Sequence, residues 1–162
     1  MIKTAIIYST TNGATSNIVK YISDKLTGEE VTIIKLKRNS KVELAAYDKI
    51  ILGGSIYLGD IQPVMSRFCN AHLDVLLTKT IGLFLCGIEP ELVRQDSQLE
   101  MAFPKKLYNH AIATAFVGGE IIFEKLNPTQ KFISKNFFKI NETTQFIRYD
   151  LIDIFVYQML SA

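Results

Sequence analysis

The amino-acid sequence predicts an α/β fold, a doubly wound parallel sheet of five strands in the order 2-1-3-4-5 within three α/β/α layers. Apolar runs alternate with amphipathic stretches along the chain, a pattern typical of strands separated by helices. The runs are apolar almost without interruption, as in parallel strands that helices cover on both faces. Right-handed crossovers leave few topologies for such strands, and the doubly wound order fits a chain of 162 residues.

The predicted strands are short runs rich in β-branched and aromatic residues. They occupy residues 2–8, 31–36, 47–54, 80–87 and 111–119. One predicted helix ends before Gly28, one begins at Pro63, and one spans residues 91–103. Helical spacing predicts that the last helix turns four apolar side chains inward: Ile147, Leu151, Ile154 and Phe155.

Composition predicts one domain over residues 1–162, without a linker, repeat or low-complexity tract. The net charge of +2 is too small to indicate nucleic-acid binding. No apolar run reaches the roughly 18 residues that span a bilayer, and no cleavage site follows the first strand, so we expect a cytoplasmic protein. Cys69 and Cys86 have neither metal-site nor disulfide spacing, so we expect free thiols and no metal.

The loop after the first strand, "YSTTNGATSNIV", carries an unusual density of hydroxyl and amide side chains. A helix N-terminus offers unpaired N–H groups to an anion, and these side chains add further donors. The loop contains no lysine or arginine, which excludes a Walker-type triphosphate loop. The alternative is a helix cap and turn that satisfies only the backbone. The candidate phosphate-binding residues are Ser9, Thr10, Thr11, Asn12, Gly13, Ala14 and Thr15.

The stretch "IIYSTTNGATSNIVKYI" resembles the FMN phosphate loop of the flavodoxin family. The matching positions are Ile6, Ile7, Tyr8, Thr10, Gly13, Thr15 and Ile22. Val19 departs from the pattern, because the family usually has alanine there. The resemblance implies a flavodoxin-like fold and FMN as cofactor, and the sequence lacks the Gly-x-Gly-x-x-Gly fingerprint of a dinucleotide site.

Three more loops are expected at the same edge of the sheet, because ligands of doubly wound folds bind at the carboxyl ends of strands. The family resemblance implies that they surround the flavin ring, whereas the alternative is ordinary glycine-containing connections. The candidate residues are Ser55, Ile56, Tyr57, Leu58 and Gly59 after strand 3, Cys86, Gly87 and Ile88 after strand 4, and Gly118 and Gly119 after strand 5. The stretch "CGIEPE" lacks the aromatic residue that carrier flavodoxins often stack on the ring.

Four motifs also resemble the flavodoxin-type protoporphyrinogen oxidase group, quinone-dependent enzymes of bacterial haem synthesis. They are "YSTTNGAT", "GGSIYLGD", "FVGGEIIFEKLNPTQKFISKNFFK" and "RYDLIDIF", in the same order. The segment "CGIEPELVRQD" matches that group poorly. This resemblance implies that FMN carries the chemistry without a catalytic side chain, between a reduced tetrapyrrole and a quinone or redox partner protein. The alternatives are a flavodoxin that only carries electrons between proteins, and a binding module that has lost its flavin.

Residues 120–142, here called the insertion, form a basic amphipathic segment that a minimal five-stranded flavodoxin does not need. A helix beginning at Pro128 would place Lys131, Lys135 and Lys139 on one face. It would place Ile133, Phe137 and Ile140 on another. One hypothesis is an apolar face docked on the domain under a solvated lysine face. The other is a peripheral contact with the inner face of the membrane, through the lysines, or a contact with a quinone-bearing partner.

Overall fold

The computed structural model describes residues 1–10, 15–57 and 60–162, and only the backbone of Tyr57. The strands are β1 Lys3–Ser9, β2 Glu30–Lys35, β3 Lys49–Tyr57, β4 Asp60–Ile61, β5 Thr80–Cys86, β6 Ala113–Phe116, β7 Glu120–Ile121 and β8 Thr144–Gln145. The α-helices are α1 Thr15–Lys25, α2 Pro63–Ala71, α3 Leu73–Leu76, α4 Leu92–Ala102, α5 Lys105–His110, α6 Pro128–Phe137 and α7 Tyr149–Leu160. Short 3₁₀ turns lie at Leu44–Ala46 and Phe123–Lys125.

The parallel sheet has the order β2-β1-β3-β5-β6. With β4 left out, because it is antiparallel, these five strands have the order 2-1-3-4-5, which confirms the predicted doubly wound order. In register, Ile6 of β1 lies between Ile33 of β2 and Ile51 of β3. The short β4 adds an antiparallel pair to the end of β3, and β7 pairs with β8 in a separate two-stranded sheet. The sequence did not predict either pairing, because these segments of two residues show no periodicity.

Alternate side chains of the central strands enter two separate cores, as the period of a strand requires. One core packs Ile7 and Leu52 against helices α2, α3, α4 and α5. The other packs Ile6, Ile51 and Phe84 against α1 and α7. Helices therefore cover both faces of the sheet, which is why its strands are apolar on both sides.

The inward face of the last helix follows the prediction only in part. Phe155 is buried as predicted, and Ile147 and Leu151 are half-buried. The buried residues of the helix are Ile152, Phe155, Val156 and Met159, whereas the side chain of Ile154 is 55% exposed. Apolar residues crowd this segment, so spacing alone allows more than one inward face. In the observed orientation of the helix, Phe155 packs against Phe84 of β5, with ring centroids 6.3 Å apart.

The insertion contains a helix that begins as predicted and ends earlier than expected. The Asn127 side chain accepts a hydrogen bond from Gln130 N–H, and Pro128 is the first helical residue. After Phe137 the chain turns through Lys139, which has a φ of 54°. Lys139 therefore does not continue the face of Lys131 and Lys135, and the predicted three-lysine stripe is wrong.

The apolar side of α6 also differs from the prediction. Phe137 is 73% exposed, whereas Ile133, Phe138 and Ile140 are half-buried. The early helix end changes the direction of the chain after Phe137, so residues on either side of it no longer share a helical face. No helix among the described residues has the length and apolar character needed to cross a bilayer.

A buried ion pair joins the amino end of the sheet to the last helix. Lys49 Nζ lies 2.7 Å from Glu29 Oε1 and also donates to the Met159 carbonyl oxygen at 2.7 Å. The Thr4 hydroxyl donates to the other oxygen of Glu29. Both charged side chains are only 5% exposed, so the protein itself supplies the partners that water would otherwise provide.

Candidate functional site

The carboxyl ends of three parallel strands bring the predicted loops to one edge of the sheet. Ser9 at the end of β1 is in register with Gly54 of β3, and Ser55 of β3 is in register with Cys86 of β5. Some predicted site residues lie outside the described part of the chain: Thr11, Asn12, Gly13, Ala14, Leu58, Gly59 and the side chain of Tyr57.

Thr15 provides the clearest sign of a ligand at this edge. It is the first residue of α1, is 1% exposed, and its Oγ1 has no hydrogen-bond partner of normal geometry among the described residues. The Cys86 thiol, a weak hydrogen-bonding group, lies beside it. A buried hydroxyl without a partner costs about 1–3 kcal/mol. Together with the N–H groups that begin α1, this hydroxyl fits an anionic acceptor such as a phosphate.

Gln62 links two of the predicted loops and was not among the predicted site residues. Ser9 Oγ donates to Gln62 Oε1 at 2.9 Å, and Gln62 Nε2 donates to Ser55 Oγ at 2.7 Å. The amide therefore joins the end of β1 to the end of β3 from its position just before α2. Its place in "GGSIYLGDIQP" was the available signal, because a polar residue directly before a helix-starting proline lies at a loop end.

The predicted glycines after β5 and β6 form a close backbone contact. Gly87 N–H donates to the Gly118 carbonyl oxygen at 2.9 Å. Gly118 has a φ of +73°, and a Cβ there would overlap the Phe146 carbonyl oxygen. A Cβ on Gly119 would lie 3.3 Å from the backbone nitrogen and oxygen of Gly87. These glycines therefore let the two loops and the chain before α7 approach each other closely.

The other described candidates are mostly enclosed. Thr10 is half-buried and takes part in polar interactions of its own, and Ile56 packs against the core. Burial raises the pKa of the Cys86 thiol to about 12, although the neighbouring Thr15 hydroxyl acts in the opposite direction. Cys86 is therefore a protonated, small apolar side chain rather than a nucleophile. Ile88 is half-buried and lines a groove beside the insertion.

Among the described residues, no cluster of three histidine, cysteine or carboxylate side chains could hold a metal ion. The polar groups of the site are instead hydroxyls, amides and backbone N–H groups. Such donors suit a phosphate ester. The fold and site together define a doubly wound α/β protein that binds a phosphorylated cofactor at the carboxyl edge of its sheet.

A family model described as a flavodoxin domain matches residues 5–147. The chain belongs to the flavodoxin domain family, and FMN is its cofactor. The Thr15 hydroxyl at the start of α1 fits that cofactor, because the phosphate of FMN would supply the acceptor that the described residues do not. The chain is therefore a flavodoxin-like redox protein.

Two relatives of known description resemble parts of the chain. The quinone-type protoporphyrinogen IX dehydrogenase of Leishmania major is 23% identical over 112 residues, covering 67% of this chain and 48% of the relative. A flavodoxin of Haemophilus influenzae is 30% identical over 84 residues, covering 51% of this chain and 48% of the relative. The matched part of the chain thus spans about half the length of each relative.

A solved structure supports the fold over nearly the whole chain. The Fusobacterium nucleatum flavodoxin bound to flavin mononucleotide superimposes with a TM-score of 0.56 at 16% identity. The superposition covers 99% of this chain and 98% of that one. The arrangement of the sheet and its helices is therefore that of a flavodoxin.

Proposed function

We propose that this protein is an FMN-dependent oxidoreductase that passes electrons from a reduced organic substrate to a quinone. The reduced substrate is a tetrapyrrole of the porphyrinogen type. Support comes from the order of the four motifs and from the similarity to the Leishmania major dehydrogenase. FMN supplies the redox chemistry when bound, and the protein binds and orients the reactants.

The observation that carries this proposal is the attachment of the insertion to the flavin-site loops. Phe146 N–H donates to the Gly119 carbonyl oxygen, and Arg148 N–H donates to the Val117 carbonyl oxygen, each at 2.9 Å. These bonds join the chain that leaves the insertion to the loop after β6. An electron carrier needs only an accessible ring edge, whereas an enzyme needs walls that hold a substrate beside the ring.

In this proposal each group of site residues has a distinct role toward FMN. Residues 9–15 hold the phosphate, with Thr15 as one donor. Residues 55–59, 86–88 and 118–119 face the ring or the ribityl chain. Gln62 holds the first two loops in position through Ser9 and Ser55. No described side chain is assigned as a general acid or base.

A second candidate function is electron transfer between protein partners without a substrate of its own. The similarity to the Haemophilus influenzae flavodoxin favours it. The net charge of +2 favours the enzyme instead, because carriers that dock on basic partners are usually acidic.

A test under anaerobic conditions separates the two functions. The FMN-loaded protein is mixed with protoporphyrinogen, with a menaquinone analogue added afterwards as acceptor. We expect porphyrinogen to bleach the bound flavin and the quinone to restore its absorbance, faster than free FMN at equal concentration. If porphyrinogen leaves the flavin oxidised while a reductase protein reduces it, the carrier function is correct.

The location proposed with this function is cytoplasmic, with a peripheral contact at the membrane where quinones reside. Two features of the insertion support the contact. Lys131 and Lys135 lie over the ring of Phe123, with Nζ 5.6 Å and 5.4 Å from its centroid. Phe132, on the same helix, is 62% exposed. Basic and apolar groups side by side are typical of segments that rest on anionic bilayers.

A further inference from the structure

A groove of about 600 Å³ separates the flavin-site loops from the insertion. Ile88 and Gly118, both among the proposed flavin neighbours, form its inner boundary. Phe137 and Phe138, at the end of α6, form the outer one. Its volume lies within the roughly 300–1,000 Å³ of typical small-molecule sites. A molecule in this groove would therefore lie between the proposed ring neighbours and the insertion.

The walls of the groove are mainly apolar and aromatic. Phe138, Ile140 and Phe146 line the groove and are half-buried, and Pro90 also lines it. The Phe137 side chain also lines the groove and is 73% exposed. Exposed aromatic surface at the rim of a concave site is typical of ligand contact. The walls thus favour a flat, apolar body.

Positive charge enters the groove from two different elements. Arg94 comes from the first turn of α4, and Arg148 lies directly before α7. Arg148 directs Nε and Nη2 to the Asp150 carboxylate, which leaves Nη1 for another acceptor. Arg94 approaches Glu91 through Nε at 3.3 Å. Both guanidinium groups can therefore meet an anion without losing these pairs.

One carboxylate, that of Glu89, also lines the groove. Its Oε1 accepts a hydrogen bond from Glu91 N–H at 3.0 Å, so part of its charge is used in holding the turn before α4. Glu91 and Asp150, the partners of the arginines, are not among the lining residues. Among the lining residues the two arginines therefore outnumber the one carboxylate, and Glu91 and Asp150 pair with them from outside the lining.

From this arrangement we infer that the groove binds a planar, apolar organic molecule that carries a carboxylate group. The aromatic walls hold the flat body, and Arg94 and Arg148 pair with the carboxylate. The position of this ligand beside the flavin rests on the proposed function. Its recognition does not, because that depends on the groove alone.

The test measures binding to the FMN-loaded protein by titration calorimetry, with naphthoate and the uncharged naphthamide as probes. The two molecules have nearly the same shape, so their difference reports the charge. We expect naphthoate to bind at least about tenfold more tightly, as a charge-assisted contact predicts. Arg148→Gln and Arg94→Gln should each reduce that difference severalfold, whereas Arg67→Gln, an exposed change on α2, should leave it intact. Phe137→Ala should weaken both probes equally.

Equal binding of the two probes, absence of binding, or a difference that survives both arginine changes would overturn the inference. Naphthoate should also perturb the visible spectrum of the bound flavin, and binding without that change would refute the position beside the ring. The outcome is distinct from that of the porphyrinogen test. If arginine-dependent binding is seen without porphyrinogen oxidation, the groove is correct and the proposed function is wrong. If porphyrinogen is oxidised and naphthoate does not bind, the proposed function is correct and the inference about the groove is wrong.

Discussion

The buried polar groups at the amino end of the parallel sheet differ in their pairing from Thr15 at its carboxyl end. At the amino end, Lys49, Glu29 and Thr4 form a closed set in which each group has a protein partner. At the carboxyl end, Thr15 is equally buried, and its hydroxyl has no such partner among the described residues. Burying a polar group is costly in both places unless something pairs with it. At the amino end the fold supplies the partner, and at the carboxyl end we propose that the phosphate of FMN would supply it to Thr15.

This difference predicts which substitutions affect stability and which affect the cofactor. A change at the amino end should destabilise the FMN-free protein and leave its affinity for FMN intact. A change of Thr15 should do the reverse, because its hydroxyl has no hydrogen-bond partner of normal geometry among the described residues. The following predictions test that division from the largest expected effect to the smallest.

Lys49→Met should give the largest effect. It removes the cation and leaves Glu29 buried without its charge partner, which typically costs about 3–5 kcal/mol of unfolding free energy. Chemical denaturation of the FMN-free protein measures the loss. Lys20→Met is the matched control, because its pair with Asp24 is exposed and is worth about 0–1 kcal/mol. Equal stability of the two variants would show that the amino-end pair does not hold the fold together.

Thr15→Val should weaken FMN binding by about 1.5–3 kcal/mol, since one donor to a charged phosphate is lost. Its unfolding free energy without FMN should stay level or rise, because valine removes a buried hydroxyl that no described residue pairs with. Thr15→Ser keeps the hydroxyl and should keep the affinity. Flavin fluorescence titration gives the dissociation constants. A variant that loses stability but binds FMN normally would mean that Thr15 serves only the fold.

Gln62→Leu should weaken cofactor binding by about 1 kcal/mol, because it breaks the bridge from Ser9 to Ser55 without touching the phosphate. Riboflavin, which lacks the phosphate, separates this effect from that of Thr15. We expect Gln62→Leu to weaken FMN and riboflavin alike, and Thr15→Val to weaken FMN alone. If riboflavin binds the Gln62 variant as well as it binds the unchanged protein, the bridge does not position the ring.

Patterns local in sequence predicted more of this molecule than contacts between distant residues did. The apolar runs gave the strand order, and the hydroxyl-rich loop placed Thr15 at the start of α1. The partners of Gln62 lie 53 and 7 residues away, and those of Lys49 lie 20 and 110 residues away, so no spacing rule points to them. Local rules cannot detect a bond that exists only after the sheet has formed.

Two local predictions were wrong for physical reasons that the structure makes plain. Ile154 was expected inside, but α7 is apolar around most of its circumference, and packing against Phe84 accompanies burial of the neighbouring stripe. Lys139 was expected to extend α6, but it has a left-handed conformation that residues other than glycine seldom adopt. No glycine therefore marks the end of α6 in the sequence. The groove beside the insertion lies where the sequence predicted that the helix would continue.

The smallest expected effect concerns the insertion and its helix α6. Vesicles with anionic lipid should sediment part of the protein at low salt, because each lysine near the surface contributes about 1 kcal/mol. The shortened helix changes which lysines matter. Lys131→Gln with Lys135→Gln should abolish the binding, whereas Lys139→Gln should reduce it less, since Lys139 lies off that face. Phe132→Ser should weaken the binding to vesicles without releasing FMN.

Binding to the vesicles should fall sharply as salt shortens the Debye length to about 8 Å near physiological ionic strength. If the unchanged protein ignores these vesicles at low salt, the lysines and Phe123 serve only to pack α6 on its own domain.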